Sequence, residues 1–297
     1  MQRFVFLIVA VLWPSFSFGQ TLPKVRMAYT SINIQMTPIY IMKDLDLPRQ
    51  HGLDAEILMI PVSSRAIQAA LAAEIQFITS GGVANIINAN MSDGDFVGIT
   101  STISTFVFKI IGQPGIKEPS RLKGKKVAIS RLGGASDFSL RYALDRWGLV
   151  PEKDVAIIQI GGEAEGGWRC RIKLLTRRPF LSLTTIAQRE GFSVVADLSR
   201  LNAPYTLHGI GTRKSIIRDR REIVVRFMKA YVEAIHLFKT KKELALSTLR
   251  NMRAQDTALM NSTYDDYSQR LVPAVPYSTA PGIQTIILPK HGLRPRL

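Results

Sequence analysis

Cysteine is almost absent: Cys170 stands alone in 297 residues. That excludes an intrachain disulfide and any cysteine-rich metal site. Histidine is scarce too, and His51, His208, His236 and His291 never fall at the i, i+3 or i+4 spacing of a helical metal pair. A metalloenzyme is not expected. The GGASDF run lacks the Lys-Ser/Thr of a P-loop and the G-x-G-x-x-G spacing of a dinucleotide fold. No G-x-S-x-G elbow occurs, so a hydrolase triad has no anchor. Repeats of 20–50 residues and low-complexity tracts are missing as well.

Acidic residues are the minority, Asp+Glu 23 against Lys+Arg 39, for a formal charge of +16. Such an excess attracts nucleic acid, anionic membrane or small anions, but says nothing about fold. No aromatic-basic interleaving marks a nucleic-acid groove. What is present is a globular composition, 46% hydrophobic and 21% charged with Gly 21 and Pro 15. At roughly 150 residues per domain, the length fits two domains or one large one.

The first segment, MQRFVFLIVAVLWPSFSFG, has the plan of an export signal. Arg3 supplies the positive start, Phe4 to Trp13 the apolar run, Pro14 the break, and Ser17 and Gly19 the small cleavage residues. The run is shorter than the roughly 20 residues of a membrane span. No later segment has 18 uninterrupted apolar residues. The expectation is a signal peptide over 1–19 and a soluble periplasmic product. One cysteine is compatible with an oxidising compartment.

The body alternates strand and helix. VRMAYT (25–30), AEILMI (55–60), IQFIT (75–79), FVGIT (96–100) and FVFKII (106–111) read as strands. Between them, Thr37-Pro38 and Ser63-Ser64 open helices, and Ser80-Gly81-Gly82 opens another. A second cycle follows: KVAIS (126–130), a glycine loop, a helix with the stripe Leu140, Ala143, Leu144 and Trp147, and a stop at Gly148. Strands at 155–160, 193–198 and 205–212 precede one long helix predicted over 219–239. Strands separated by single helices imply βαβ units and a mostly parallel sheet.

Three strand ends share one construction. Thr30-Ser31, Ser80-Gly81-Gly82 and Ser130 to Ser136 each carry hydroxyls, and the latter two add glycines, before a helix N-terminus. Free N–H groups and the helix dipole favour an anion there, and glycine lets a ligand approach. Open α/β sheets collect ligands at the carboxyl ends of their strands. Each turn alone suits a purely structural role; together they point to one cleft. Arg131 suits an anion contact or a structural role equally. His236, on the long amphipathic helix, reads as a surface residue, and Asp44 and Asp46 have no catalytic partner.

Four stretches then carry a resemblance: VRMAYTSINIQMTPIYIMKDLDLPRQHGLDAEILMI, AIQAALAAEIQFITSGG, LKGKKVAISRLGGASDFSLRYALDRWGLVPEKDVAIIQIGG and REIVVRFMKAYVEAIHLFKTKKELAL. The chain resembles the solute-binding proteins of ABC importers, in the nitrate/sulfonate/taurine (SsuA-like) group that includes thiamine-pyrimidine-precursor binders. The resemblance implies an α/β fold of the type 2 periplasmic-binding-protein kind, two lobes joined by a two-strand hinge. Lobe 1 would comprise 20–110 and 213–297, and lobe 2 would comprise 111–212. The hinge would lie near Phe106–Pro114 and Gly209–Lys214. By position, Thr30, Ser31, Thr37, Ser80, Gly81, Gly82, Ser130, Gly133, Gly134, Ala135 and Ser136 would contact the ligand.

The implied function is capture of a small anionic or polar solute for a membrane permease, by a monomer without cofactor, catalysis or nucleic-acid partner. The rivals are a thiamine-precursor enzyme of the same fold, whose cysteine cluster is missing here, and a degenerate paralogue that binds nothing. Residues 163–183 depart from the family, being basic and poorly patterned. One back-translation of Gly167 to Arg178, read two bases on, gives the family-like LALQNQAVDAA. Leu288 to Arg296 likewise becomes SETRPAAK. Compensated frameshifts would leave this pattern, and they would make Cys170, Trp168 and half the basic excess accidental.

Overall fold

The computed structural model describes residues 21–30, 33–60, 63–80, 94–130, 132–160, 187–188, 190–251 and 257–287. Ser31, Gly81, Gly82, Arg131, the signal segment, the basic stretch 163–183 and the tail from 288 lie outside them.

Strands β1 (Lys24–Tyr29), β2 (Asp54–Met59), β3 (Phe77–Ser80), β4 (Phe96–Gly98) and β9 (Gly209–Arg213) form a five-stranded sheet in the order β2-β1-β3-β9-β4. β1 pairs parallel with β2 and β3, whereas β9 runs antiparallel to β3 and β4. The strand β1 is buried on both faces. Val25, Met27 and Tyr29 join one core, and Ala28 joins a smaller one on the opposite side. Helix α3 (Ser63–Leu71) covers that smaller side with Ala66 and Ala70. The larger core takes Ile39 and Ile41 from α1 (Thr37–Asp44) and contacts α2 (Leu47–Gln50) through Leu47.

Two further strand pairs belong to a second core: β5 (Lys109–Gly112) antiparallel to β8 (Ser193–Asp197), and β6 (Lys126–Ile129) parallel to β7 (Ala156–Gln159). Helix α4 (Ala135–Arg146) packs Leu140, Ala143 and Leu144 into it. Phe106, Tyr142 and Tyr205 form its aromatic centre, with Phe106 and Tyr205 rings 4.8 Å apart.

The five-stranded sheet is thus mixed where the sequence predicts mostly parallel strands. β9 returns from the second core and enters the first sheet at its carboxyl edge, so it must run against its neighbours. The helix predicted over 219–239 is present: a short helix α5 (Lys214–Asp219) ends at Arg220 (φ −139, ψ 45), and α6 (Arg221–Thr240) covers the predicted span. The break falls in the charged run Arg218 to Glu222, where no apolar stripe holds the axis straight. α6 lays Phe227 flat on Phe77 of the sheet, with centroids 3.8 Å apart and rings 7° from parallel. Helices α7 (Lys242–Asn251), α8 (Thr257–Asp266) and α9 (Ala280–Ile287) follow. The first two of these, through Leu246 and Met260, complete the first core; Ile286 of α9 packs against the second.

Candidate functional site

The carboxyl ends of β1 and β3 lie side by side. Ala28 pairs with Ile78, so continuing the register sets Thr30 beside Ser80. Ser80 also pairs with Gly209, the first residue of β9. The same edge receives the chain leaving β4: Ile99 donates its N–H to the Ile210 carbonyl, and Thr100 Oγ1 accepts the Ile210 N–H at 2.9 Å. Two of the three predicted strand ends, Thr30 and Ser80, are therefore brought together.

The chain crosses between the cores here. Ile210 belongs to the first core, whereas Ile103 and Leu207 belong to the second. The two crossings run antiparallel and bridge at Ile103 and His208. Thr102 and Ile103 donate to the His208 carbonyl, and Leu207 donates to that of Ile103. The crossing occupies roughly 99–105 and 205–209, a few residues earlier than the expected hinge at 106–114 and 209–214. The reason is packing: Phe106 and Ile110 are already second-core residues, and Ile210 is already first-core. A third segment joins them, since Ser101 N–H donates to the Pro276 carbonyl and Thr206 N–H to that of Gly282 in α9.

This junction is rich in buried polar groups. Thr100, Ser101, Thr102, Thr206 and His208 are each 2% exposed or less. Thr102 Oγ1 and the Tyr231 hydroxyl are hydrogen-bonded at 2.8 Å, and burial pushes the Tyr231 phenol well up. Ser101 Oγ meets Ser104 Oγ at 3.0 Å. Among the described residues, five buried side-chain atoms have no partner: Thr105 Oγ1, Thr206 Oγ1, both His208 ring nitrogens and Arg213 Nε. Four of these five sit on the two crossings. Burial alone lowers the His208 pKa to about 4, which leaves the ring neutral near pH 7. Sequence reading missed His208 and the 100–102 hydroxyls, because no spacing rule marks a lone histidine or a Thr-Ser-Thr linker. Its one available signal was the run of consecutive hydroxyl residues after a strand.

The glycine loop has a different character from an empty anion cradle. Ser130 Oγ and Ser136 Oγ bond each other at 2.7 Å, and Ser136 Oγ also accepts the Ser130 N–H. Leu132 N–H donates to Gln159 Oε1, and Gly133 N–H donates to Asp137 Oδ2 at 2.8 Å. Asp137 is 6% exposed, pairs with Arg141 at 2.7 Å, and sits in the first turn of α4. Its carboxylate already answers the helix dipole. Gly133 has φ +71 and open space where a Cβ would be, so the turn itself requires glycine there. Gly134 is the extended N-cap of α4, and Ala135 and Ser136 keep first-turn N–H groups without intrahelical partners. Thr37, fully buried, uses its hydroxyl as a donor to the Ile34 carbonyl at 2.7 Å.

An open groove of about 910 Å³ lies elsewhere, along α6, floored by Val224, Met228 and Val232 and rimmed by Arg221, Lys229 and Glu233. Glu233 is engaged by His51 at 2.6 Å. His236 is exposed, as expected. Among the described residues no group of His, Cys, Asp and Glu has metal-site geometry, and no helix is long and apolar enough to cross a membrane.

The family model described as "NMT1/THI5 like" matches residues 33–243. No curated protein sequence matches the chain. Among solved structures, the periplasmic aliphatic sulphonate binding protein SsuA from Escherichia coli is 17% identical, with a TM-score of 0.64 over 86% of this chain and 85% of that one. A Candida albicans protein with the generic periplasmic binding protein fold is 14% identical, with a TM-score of 0.64 over 90% of each chain. The periplasmic nitrate-binding protein NrtA from Synechocystis is 13% identical, with a TM-score of 0.52 over 82% of this chain and 69% of that one. These likenesses show the periplasmic-binding-protein fold.

Proposed function

The chain belongs to the NMT1/THI5-like family, and from that premise we propose that it is the extracytoplasmic solute-binding component of an ABC importer. It captures a small polar solute between two lobes, joined by the crossings at 99–105 and 205–209, and hands it to a membrane permease without chemical change. The observation that carries this reading is the pair of antiparallel crossings between two hydrophobic cores, with buried hydroxyls and a buried imidazole where they meet the sheet edge. Two separate cores can move as bodies when only short segments join them. Thr30, Ser80 and the Ser130–Ser136 loop face the solute, and contacts from both lobes select the closed state. An N-terminal signal over 1–19 delivers the chain to the periplasm, where it acts as a monomer.

The test is a thermal-shift screen of the full chain against nitrate, sulfonates, carboxylates and polar heterocycles. A solute at 100 times its dissociation constant is expected to add about 2.7 kcal/mol of stability. Turnover of any such solute by the purified chain would overturn the non-enzymatic reading.

A further inference from the structure

We propose that Arg270 and Ser199 form a latch between the two lobes, a hydrogen bond across the joint that biases the chain towards the lobe arrangement described here. The proposal rests on the two-lobed solute-binding reading above and adds the contact that restrains its motion. Arg270 and Ser199 belong to different cores. Arg270 lies in the wide, π-helical turn Tyr267–Leu271 that continues α8, where the Val272 N–H reaches back to the Tyr267 carbonyl at 2.8 Å. Tyr264 before this turn and Val272 after it are first-core residues. Ser199 lies in the short turn Leu198–Leu201 after β8, and Leu198 is a second-core residue. Across that boundary Arg270 Nη2 donates to Ser199 Oγ at 3.1 Å. The Tyr267 ring flanks both cores, so the turn sits at the joint itself. Wide turns of this kind recur at functional sites in helices.

Both partners are oriented in advance. Arg270 Nε donates to Asp266 Oδ1 at 2.8 Å, one helical turn back on its own element. Ser199 is 3% exposed, and its N–H and its hydroxyl both donate to Asp197 Oδ1. With its proton directed there, the hydroxyl presents only lone pairs to the guanidinium. The Asp197 carboxylate behind it also draws the cation, shared with Lys109 of β5 at 3.6 Å. A surface pair between two free side chains contributes little, because both must be ordered. Here Asp266 already orders the arginine and the turn already fixes the serine.

Each partner is also fixed to its own body. Lys239 of α6 donates to the Ser268 and Val272 carbonyls, and the Tyr264 hydroxyl donates to the Phe238 carbonyl at 2.8 Å. The wide turn therefore moves with the first core. Leu198 and Leu201 seat the Ser199 turn on the second. A rotation that carries one lobe away from the other must stretch the contact between them. The Arg270 side chain is 43% exposed, so water can replace Ser199, and the net bias is about fivefold for a partly screened, charge-assisted bond. That is small against the stability of either core. It is enough to redistribute two lobe arrangements of similar free energy, and apparent solute affinity scales with the competent fraction.

The experiment uses the full chain with Cys170→Ser and two spin labels, on cysteines introduced at the exposed Lys43 of α1 and Lys153 before β7. Pulsed electron resonance then reads the distance between the lobes with no solute added. Arg270→Ala is expected to raise the ratio of parted to latched lobes about fivefold. Ser199→Ala should do the same, and the double variant no more than either alone, since all three remove one contact. Arg218→Ala, which breaks a pair with Asp219 inside the first lobe, is expected to leave the distances unchanged. Urea midpoints measured alongside separate a folding defect from a released joint. Should Arg270→Ala not fold, Arg270→Gln, which keeps the length but not the charged fork, takes its place. Distances matching the parent in both single variants, or shifts that add in the double, would overturn the latch. That result leaves the importer reading to the solute screen. Shifted distances in a chain that no solute stabilises would keep the latch and remove the importer reading.

Discussion

Burying an imidazole without a partner makes the fold sensitive to acid. In the unfolded chain His208 titrates at its ordinary 6.5, and in the fold at about 4. Between those values the unfolded chain holds a proton that the folded chain lacks. Stability therefore falls as the pH drops from 6.5 towards 4 and levels off below. The loss is roughly 3 kcal/mol, at about 1.4 kcal/mol per pH unit. Urea titrations at pH 7, 5 and 4 should show this decline in the wild type and a smaller one in His208→Leu; equal declines would remove His208 as the cause. The glycine loop makes a second residue-level prediction. Gly133→Ala forces a side chain to φ +71 and is expected to cost about 1–2 kcal/mol, read as a lower urea midpoint. Gly134 is extended at φ −91, so Gly134→Val should leave folding nearly intact and weaken solute binding by blocking the helix N-terminus. Unchanged affinity in that variant would take the loop out of the site.

Among the elements, α6 does most to hold the first lobe together. Its buried stripe Ile223, Phe227, Ala230, Tyr231, Ala234, Ile235 and Phe238 follows the helical period. The flat Phe77–Phe227 stack joins this helix to the middle of the sheet. Phe227→Ala is expected to destabilise by about 3–5 kcal/mol, because a close-packed core cannot collapse into so large a hole. Val225, on the same helix but 43% exposed, should change stability by less than about 0.5 kcal/mol when replaced by Ala. Equilibrium unfolding of both variants is the measurement, and comparable losses would contradict the stripe. Lys239 ties the helix end to the segment beyond α8, donating to the Ser268 carbonyl and, at 2.7 Å, to that of Val272.

At the scale of the whole molecule, two cores share three connecting segments, and the proposed closure would act through them. The bound solute is expected to reduce the radius of gyration in solution scattering, and an unchanged radius would rule out a hinged clamp. The basic stretch 163–183 bears on the second lobe. Arg169, Arg171, Lys173, Arg177 and Arg178 fall where the resemblance implies a small-residue amphipathic helix and a strand. Unpaired charges resist burial by several kcal/mol, out of a total stability of only 5–15 kcal/mol. Restoring LALQNQAVDAA over 167–178, with the tail likewise restored, is expected to raise the melting temperature and tighten solute binding. The gene's alternate frame is the first check: if it does not encode V-D-A there, the frameshift explanation falls.

Local patterning wrote much of this fold into the chain. Strands β1, β2, β6 and β7 fall within a residue or so of their hydrophobic runs, and α4 stops at Gly148 (φ +69), because period, capping and turn chemistry are properties of neighbouring residues. Thr30 and Ser80 were legible for the same reason, as hydroxyls at strand ends. Direction and partnership were not. That β9 runs antiparallel follows from where the chain re-enters the sheet. That Thr37 and the Ser130–Ser136 loop use hydroxyls and N–H groups internally follows from partners that the motifs do not name. His208 is the sharpest case: it is one ordinary histidine in the sequence, and only long-range packing encloses it and strips it of partners at the bridge to Ile103. Side-chain chemistry is written locally, but desolvation depends on everything that closes around it.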